Sequence, residues 1–316
     1  MNSKEVWIIG AGPMAIEYAE VMKDSKINFK FIGRSKQSAE NFKAKTGIMP
    51  FQGGLKNFIK TNKEVPSHAI VAVGHPELAE QTLVLIKHGV KNILVEKPGA
   101  LYLEDLIKIQ NSSKMLNSNI LIAYNRRFFQ SVNKAKDIIL EDGGLLSAHF
   151  EFTELSNIIE KLIKPEGVKE SWLIGNSSHV IDLAFYIAGR PTSLNSFVYG
   201  SLDWHKSGSI FLGNGLTENN VPYSYHSNWR APGRWSLEFM TQNNRLIFRP
   251  MEKLQIIKAG SFEMEECDID YSVDENYKPG LYKQTHAFIN DDHLNICSIE
   301  DQVKNWSIYN KIASYS

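Results

Sequence analysis

The stretch "EVWIIGAGPMAIEYAEVM", Glu5 to Met22, decides how this chain is read. Val6–Ile9 is a continuous apolar run of the kind a buried strand needs. It breaks into Gly10-Ala11-Gly12-Pro13-Met14-Ala15 and then resumes with helical spacing. Gly10 suits a tight turn, Gly12 lets the backbone approach a pyrophosphate, and Ala15 lets helix and strand pack closely. Pro13 falls at the first helical position, where its missing N–H costs nothing. The N–H groups that follow, from Met14 onward, would face the phosphates together with the positive end of the helix dipole. The stretch reads as a strand, a dinucleotide-binding turn and a helix.

The surroundings repeat that unit. Apolar runs at Val6–Ile9, Asn28–Ile32, His68–Val73, Asn92–Val95 and Asn119–Tyr124 alternate with helical patterns. The helices expected are Ala15–Lys23, Ser38–Thr46, Pro76–His88 and Leu103–Leu116. Continuous apolar strands, each followed by a helix, predict a parallel sheet covered on both faces. Pro76 and Gly89 punctuate one of these helices at its start and stop. After Tyr124 the pattern changes. Helices are expected at Phe128–Glu141 and Ser178–Ala188, but the strands now alternate. Phe150 and Phe152 face one way and His149 and Glu151 the other; Trp235, Leu237 and Phe239 alternate with Ser236 and Glu238. One-sided strands predict an antiparallel sheet. The expected fold class is α/β: a Rossmann-type doubly wound parallel sheet over residues 1–124, then an α+β domain with a large, mainly antiparallel sheet over 125–316.

Composition bounds the function. The 316 residues carry 35 Lys+Arg and 35 Asp+Glu, so no net field favours nucleic acid or an anionic membrane. Cys267 and Cys297 are the two cysteines, far apart and without metal-ligand spacing, which fits a reducing compartment. No apolar run reaches the roughly 18–20 residues of a membrane span, and the first strand begins too early for a signal peptide. The expectation is a cytoplasmic protein that binds neither nucleic acid nor membrane.

The end of the second strand selects the cofactor. Where NAD-binding turns place an acid for the ribose 2′-hydroxyl, this chain has Phe31-Ile32-Gly33-Arg34-Ser35-Lys36. Arg34 offers a flat guanidinium for a 2′-phosphate or for stacking on adenine, and Ser35 and Lys36 offer further donors. NADP(H) is therefore expected in preference to NAD(H).

Glu96-Lys97-Pro98 follows the Asn92–Val95 run. A glycine turn after the first strand, this Glu-Lys-Pro, a following antiparallel domain and the closing "SIEDQVKNWSIYNKIASY" together resemble the Gfo/Idh/MocA oxidoreductases, a family that includes glucose–fructose oxidoreductase and inositol dehydrogenase. A lysine at the carboxyl end of a parallel strand lies where open α/β sheets bind ligands, and its ammonium can hold a substrate oxygen. The resemblance implies that the Lys97–Pro98 bond is cis. It also implies that His179 and Asp182, in "SSHVIDLAFYIAG", are the family's His-x-x-Asp, with His179 exchanging the substrate proton. Histidine's ordinary pKa near ~6.5 suits that task. Asp182 either orients substrate or anchors its helix.

The expected cofactor set is Gly10, Gly12, Pro13, Met14, Ala15, Arg34, Ser35, Gly74, Glu96 and Lys97, with Lys97 and His179 catalytic. The expected substrate set is Lys97, Asn125, Arg126, Trp172, His179 and Asp182. One arginine of Arg126-Arg127 is expected to face substrate or to form an interdomain salt bridge. Many relatives place an aspartate four residues before the histidine; here that position is Gly175, with Asn176 beside it. Tyr223, Tyr225, His226, Trp229, Arg230, Arg234 and Trp235 resemble a sugar-binding lining, or else core. No metal is expected, because His179 and Asp182 lack further ligands.

The function expected is NADP(H)-dependent oxidation or reduction of a sugar or nucleotide-sugar at a secondary alcohol or ketone carbon. A glycosidase that retains NAD, or a non-catalytic dinucleotide sensor, are the alternatives. The resemblance further implies a homodimer or homotetramer formed through the open face of the second sheet.

Overall fold

The structure, a computed structural model, describes residues 4–25 and 27–315. The chain divides into two compact units: Met1–Asn125 with Glu275–Lys304, and Arg126–Asp274 with Asn305–Ser316. Glu275–Lys304 thus returns to the unit that begins the chain.

In the first unit, β1 (Glu5–Ile9), β2 (Asn28–Ile32), β3 (His68–Val71), β4 (Asn92–Glu96) and β5 (Asn119–Ala123) form a parallel sheet. The late strand β14 (Cys297–Ser298) adds to β5 antiparallel, giving the order β14-β5-β4-β3-β1-β2. β1 therefore has β2 on one side and β3 on the other, so the winding reverses across it. The strands are mostly apolar and, apart from the start of β2, largely buried; Trp7, Ile8, Ile70 and Leu94 are fully buried. Helices Pro13–Lys23, Lys36–Thr46, His75–His88 and Leu103–Leu116 follow the strands as expected. The His75–His88 helix stops where Gly89 takes φ +96°, in the left-handed region open to glycine. A further helix, Leu55–Thr61, was not signalled by the pattern.

In the second unit eight strands form one sheet. They are β6 (Ser147–Glu151), β7 (Pro191–Tyr199), β8 (Ile210–Thr217), β9 (Pro222–Asn228), β10 (Ser236–Met240), β11 (Asn244–Phe248), β12 (Gln255–Lys258) and β13 (Met264–Glu266). Their order is β13-β12-β11-β10-β6-β9-β8-β7, antiparallel except for β6 beside β9. Period-two burial drives one face inward: Phe150, Leu237, Phe239, Leu246 and Phe248 are fully buried. The helix Ser178–Ala188 packs on that face, its Phe185 meeting Phe150 edge-on at 5.6 Å.

The aromatic residues of β9 belong to this core and not to a sugar lining. Tyr223 and Tyr225 are buried, and Tyr225 stacks on Phe150 at 5.3 Å. Their hydroxyls cross β8 to donate to the Ser193 carbonyl (2.8 Å) and to reach Ser196 Oγ (2.9 Å) on β7. They cross where β8 has Gly213 and Gly215; a Cβ at Gly213 would lie 2.2 Å from the Tyr225 ring. Trp229 is buried and stacks on Trp204 at 5.6 Å. Among the described residues no helix is long and apolar enough to cross a membrane.

Phe150 touches both the helix and β9, so truncating it leaves a cavity that cannot close from one side. Phe150→Ala is expected to cost about 3–5 kcal/mol, read as a lower urea midpoint with an unchanged slope; a loss under about 1 kcal/mol would show that this layer is loosely packed.

Candidate functional site

In the first unit a cavity of about 730 Å³ opens at the carboxyl ends of β1, β2 and β3, where the winding reverses. This is where open α/β sheets bind ligands. Gly10, Gly12, Pro13, Met14, Arg34, Ser35 and Gly74 of the expected set all line it. Gly10 has φ +136°, and a Cβ there would lie 2.2 Å from the Ala72 carbonyl oxygen, so nothing larger fits. Gly12 is different: a Cβ there would meet nothing within 4 Å. Its missing side chain leaves open space at the helix N-terminus, which is the fit a pyrophosphate requires. The first i→i−4 bond of the helix runs from the Ile16 amide to the Gly12 carbonyl, leaving the Met14 and Ala15 amides no intrahelical acceptor. Ala15 itself is fully buried and does not line the cavity, a departure from the cofactor contact expected of it.

At the cavity mouth Arg34 is exposed and ion-paired with Glu77. An exposed pair contributes at most about 1 kcal/mol, and its guanidinium can be drawn to a stronger anion. Ser35 caps the Lys36–Thr46 helix, its Oγ accepting from the Ser38 amide at 3.2 Å. Ser38 and Lys56 also line the cavity and escaped the sequence reading. Lys56 lies on the unanticipated Leu55–Thr61 helix, where it pairs with Glu80 at 2.5 Å.

Glu96 and Lys97 do not line this cavity. Glu96 ends β4 fully inside the unit, accepting from the Tyr18 hydroxyl at 2.9 Å. Burial pushes its carboxyl up, against the lowering charge of Lys97. Its place is thus a structural one behind the turn, a departure from the cofactor contact expected of it. The turn closes with the Gly99 amide on the Glu96 carbonyl at 3.0 Å, and the Lys97–Pro98 bond is cis. A Cβ at Gly99, φ +90°, would lie 2.8 Å from Ile122 Cδ1. From the far end of the chain, Gln302 Nε2 donates to the Pro98 carbonyl at 2.9 Å and reaches the Tyr124 hydroxyl at 3.1 Å. Lys97 therefore projects, half-buried, from a braced turn. Asn125 is also buried, its side-chain amide donating to the Pro279 carbonyl at 2.8 Å, so that group is engaged within the unit rather than toward a substrate.

In the second unit His179 is buried at the start of the Ser178–Ala188 helix, its ring 6.1 Å from that of Trp235. Asp182 accepts a two-pronged ion pair from Arg127, at 2.8 Å from Nε and 2.6 Å from Nη2. Both carboxyl oxygens are thereby held, so the geometry favours the anchoring role for Asp182 over substrate binding. Arg127 also lies 4.6 Å over the Tyr186 ring. Arg126 goes elsewhere, 4.9 Å over Trp235. Trp172 is half-buried, edge-on to Trp204 at 6.0 Å.

A wide π-helical turn, Leu173–Ser177, leads into the His179 helix. It is held by a residue the sequence reading missed. Glu154 is buried, and its carboxylate accepts from Asn176 Nδ2 at 2.9 and 3.2 Å and from Ser177 Oγ at 2.7 Å. A buried acid thus stands beside Asn176, next to Gly175. β6 ends at Glu151, so Glu154 lies beyond the alternation that puts Phe150 in the core, and its burial left no periodic signal. Burial pushes the Glu154 carboxyl above its usual range, only partly offset by Ser177, Asn176, the charge of Arg234 and Trp172. A carboxyl raised on folding binds protons more tightly in the native state. Its contribution is therefore full below the usual value of 4.5 and lost as pH rises toward the raised one. The stability of the wild type relative to Glu154→Gln is expected to fall across that window, measured by urea unfolding of both proteins from about pH 4 to 8; parallel curves would mean the group ionises normally.

Comparison with known proteins agrees with this geometry. The profile of the Gfo/Idh/MocA oxidoreductase family, NAD-binding Rossmann fold, matches residues 4–124. Glucose-6-phosphate 3-dehydrogenase of Bacillus subtilis is 26% identical over 195 residues, 58% of this chain and 53% of that protein. The match thus spans about half the length of the relative. A dehydrogenase from Clostridium difficile superposes with a TM-score of 0.79 at 19% identity, covering 100% of both chains. Levoglucosan dehydrogenase, solved with NADH, superposes at 0.77 with 18% identity over 98% of this chain and 96% of its own. These structures share the fold across both units. Residues 4–124 are thus similar to the NAD-binding Rossmann domain of that oxidoreductase family.

Proposed function

We propose that this protein is an NADP(H)-dependent oxidoreductase acting at a secondary alcohol or ketone carbon of a sugar or nucleotide-sugar. The observation that carries the reading is the glycine cradle at the reversal of the sheet, with open space at Gly12 and the Met14 amide without an intrahelical acceptor. Gly10, Gly12, Pro13 and Met14 would hold the pyrophosphate, and Gly74 would line the same wall. Arg34, with Ser35, Ser38 and Lys56 around it, would hold a 2′-phosphate after releasing Glu77. When bound, the nicotinamide supplies the hydride chemistry. Lys97 orients and polarises the substrate oxygen from its braced turn, and His179 takes or returns that oxygen's proton. Asp182 and Arg127 keep the helix of His179 in place.

The proposed setting is the cytoplasm, as a homodimer or homotetramer. The surface that supports assembly is the outer face of β7 and β8, where Phe197 is 58% and Tyr199 64% exposed and the two rings stack at 6.5 Å.

Titration with NADPH and NADH, followed by tryptophan quenching, is expected to show at least about tenfold tighter NADPH binding, lost in Arg34→Ala; equal affinities would remove Arg34 as selector, and no binding of either would sink the reading. Lys97→Met is expected to abolish turnover with cofactor affinity kept within about tenfold, and retained turnover would remove its role. Light scattering is expected to show Phe197→Glu dissociating the oligomer; a wild type already monomeric would end that proposal.

A further inference from the structure

Among the described residues, the charged groups that line the cavity of the first unit are two cations and two acids, and each cation already holds an acid. Arg34 Nη1 is ion-paired with Glu77 Oε1, and Lys56 Nζ with Glu80 Oε1 at 2.5 Å. Both acids come from one helix, His75–His88, where a spacing of three residues makes them neighbours on its surface. The cations come from elsewhere: Arg34 follows β2, and Lys56 lies on the Leu55–Thr61 helix. Lys36 does not line the cavity and reaches Glu40 at 3.8 Å. Ser35 and Ser38 bring hydroxyls, 2.8 Å apart, but no charge. The formal charges of the lining therefore cancel.

A phosphate drawn to Arg34 arrives beside the carboxylate that already holds the guanidinium. If Glu77 stays, two anions repel at close range; if it leaves, its ion pair is lost. Glu77 lies in the first turn of its helix, where the positive end of the helix dipole favours an anion, so its charge persists when the pair opens. A 2′-hydroxyl meets neither cost, because it is neutral and can donate to a carboxylate. The lining that attracts a 2′-phosphate through Arg34 thus penalises it through Glu77, and a cofactor without that phosphate escapes the penalty.

We infer that Glu77 is a specificity-determining residue that opposes Arg34: it competes with the 2′-phosphate for the guanidinium and narrows the preference for NADPH over NADH. The inference rests on the oxidoreductase reading above and adds the residue that sets how far the two cofactors are told apart.

The test is a titration of the full chain with NADPH and with NADH at constant ionic strength, followed by tryptophan fluorescence. Wild type, Glu77→Gln, Arg34→Ala and the double variant Arg34→Ala with Glu77→Gln are compared. The readout is the change between variants in the ratio of the NADH to the NADPH dissociation constant, whatever its wild-type value. Glu77→Gln keeps the shape of the side chain and removes its charge. It is expected to raise the ratio by about fivefold, the upper range for an exposed ion pair. The rise comes from tighter NADPH binding, and it shrinks once Arg34 is alanine. A ratio unchanged within about twofold overturns the inference, as does a gain undiminished without Arg34. Weaker NADPH binding in Glu77→Gln also overturns it, since Glu77 would then aim Arg34 rather than occupy it. A wild type that binds neither cofactor sinks the oxidoreductase reading and this inference together. A wild type that binds NADPH, with the ratio unmoved in Glu77→Gln, sinks this inference alone.

Discussion

The first unit is organised around the space left where the chain leaves β1. Gly10 donates its amide to the Ile32 carbonyl at 2.9 Å, while Ala72 donates to the Ile9 carbonyl at 2.8 Å. The backbone at Gly10 is thus held between the ends of β2 and β3, with no room for a side chain on the Ala72 side. An alanine there would have to displace the end of β3 or abandon a backbone angle that side chains rarely adopt. Because the exit is held from both sides, the next residues have one direction in which to begin a helix. Its N-terminus faces the cavity for that reason. The ligand-binding geometry and the order of the three strands share this one steric cause.

What the sequence reveals follows from how local the physics is. β1, β2 and the helices Leu103–Leu116 and Ser178–Ala188 were legible because a continuous apolar run or a 3.6-residue stripe ends at a glycine, proline or polar break. β7 and β8 were not, because their sequences "PTSLNSFVY" and "IFLGNGLT" carry polar residues and glycines that have no alternating core signal of their own. Their packing is supplied by Tyr223 and Tyr225 reaching across from β9. The two-residue β14 is too short to leave any periodic trace. Its place in the sheet comes from pairing with β5, a contact between residues about 175 positions apart.

The candidate site divides along the same line. The glycine turn, Lys97 and His179 could be picked out by type and spacing. The pairing of charges could not, because it depends on side-chain directions set by tertiary packing. Adjacent arginines illustrate this: a 3₁₀ turn sends Arg127 to Asp182 and Arg126 to Trp235. Glu96 ends β4 and Glu154 lies just beyond β6, and both acids are buried. One is satisfied by a tyrosine and the other by the turn that precedes His179. A buried carboxyl with its partners supplied from another element ties those elements together, since removing either side leaves an unsatisfied group.

The first unit is discontinuous, and that has a consequence for the order in which the protein can be made. Residues up to Asn125 hold the five parallel strands, but the strand that covers the edge of β5 and the Gln302 clamp on Pro98 both come from Glu275–Lys304. On a ribosome, therefore, the nucleotide-binding sheet emerges first with β5 as an open edge and with the Lys97 turn unbraced. It stays so while the whole eight-stranded sheet is synthesised. An open parallel edge is a template for pairing with another chain. The Asn119 to Ala123 strand is thus an edge at which a nascent chain of this protein is open to misassembly until β14 pairs with it.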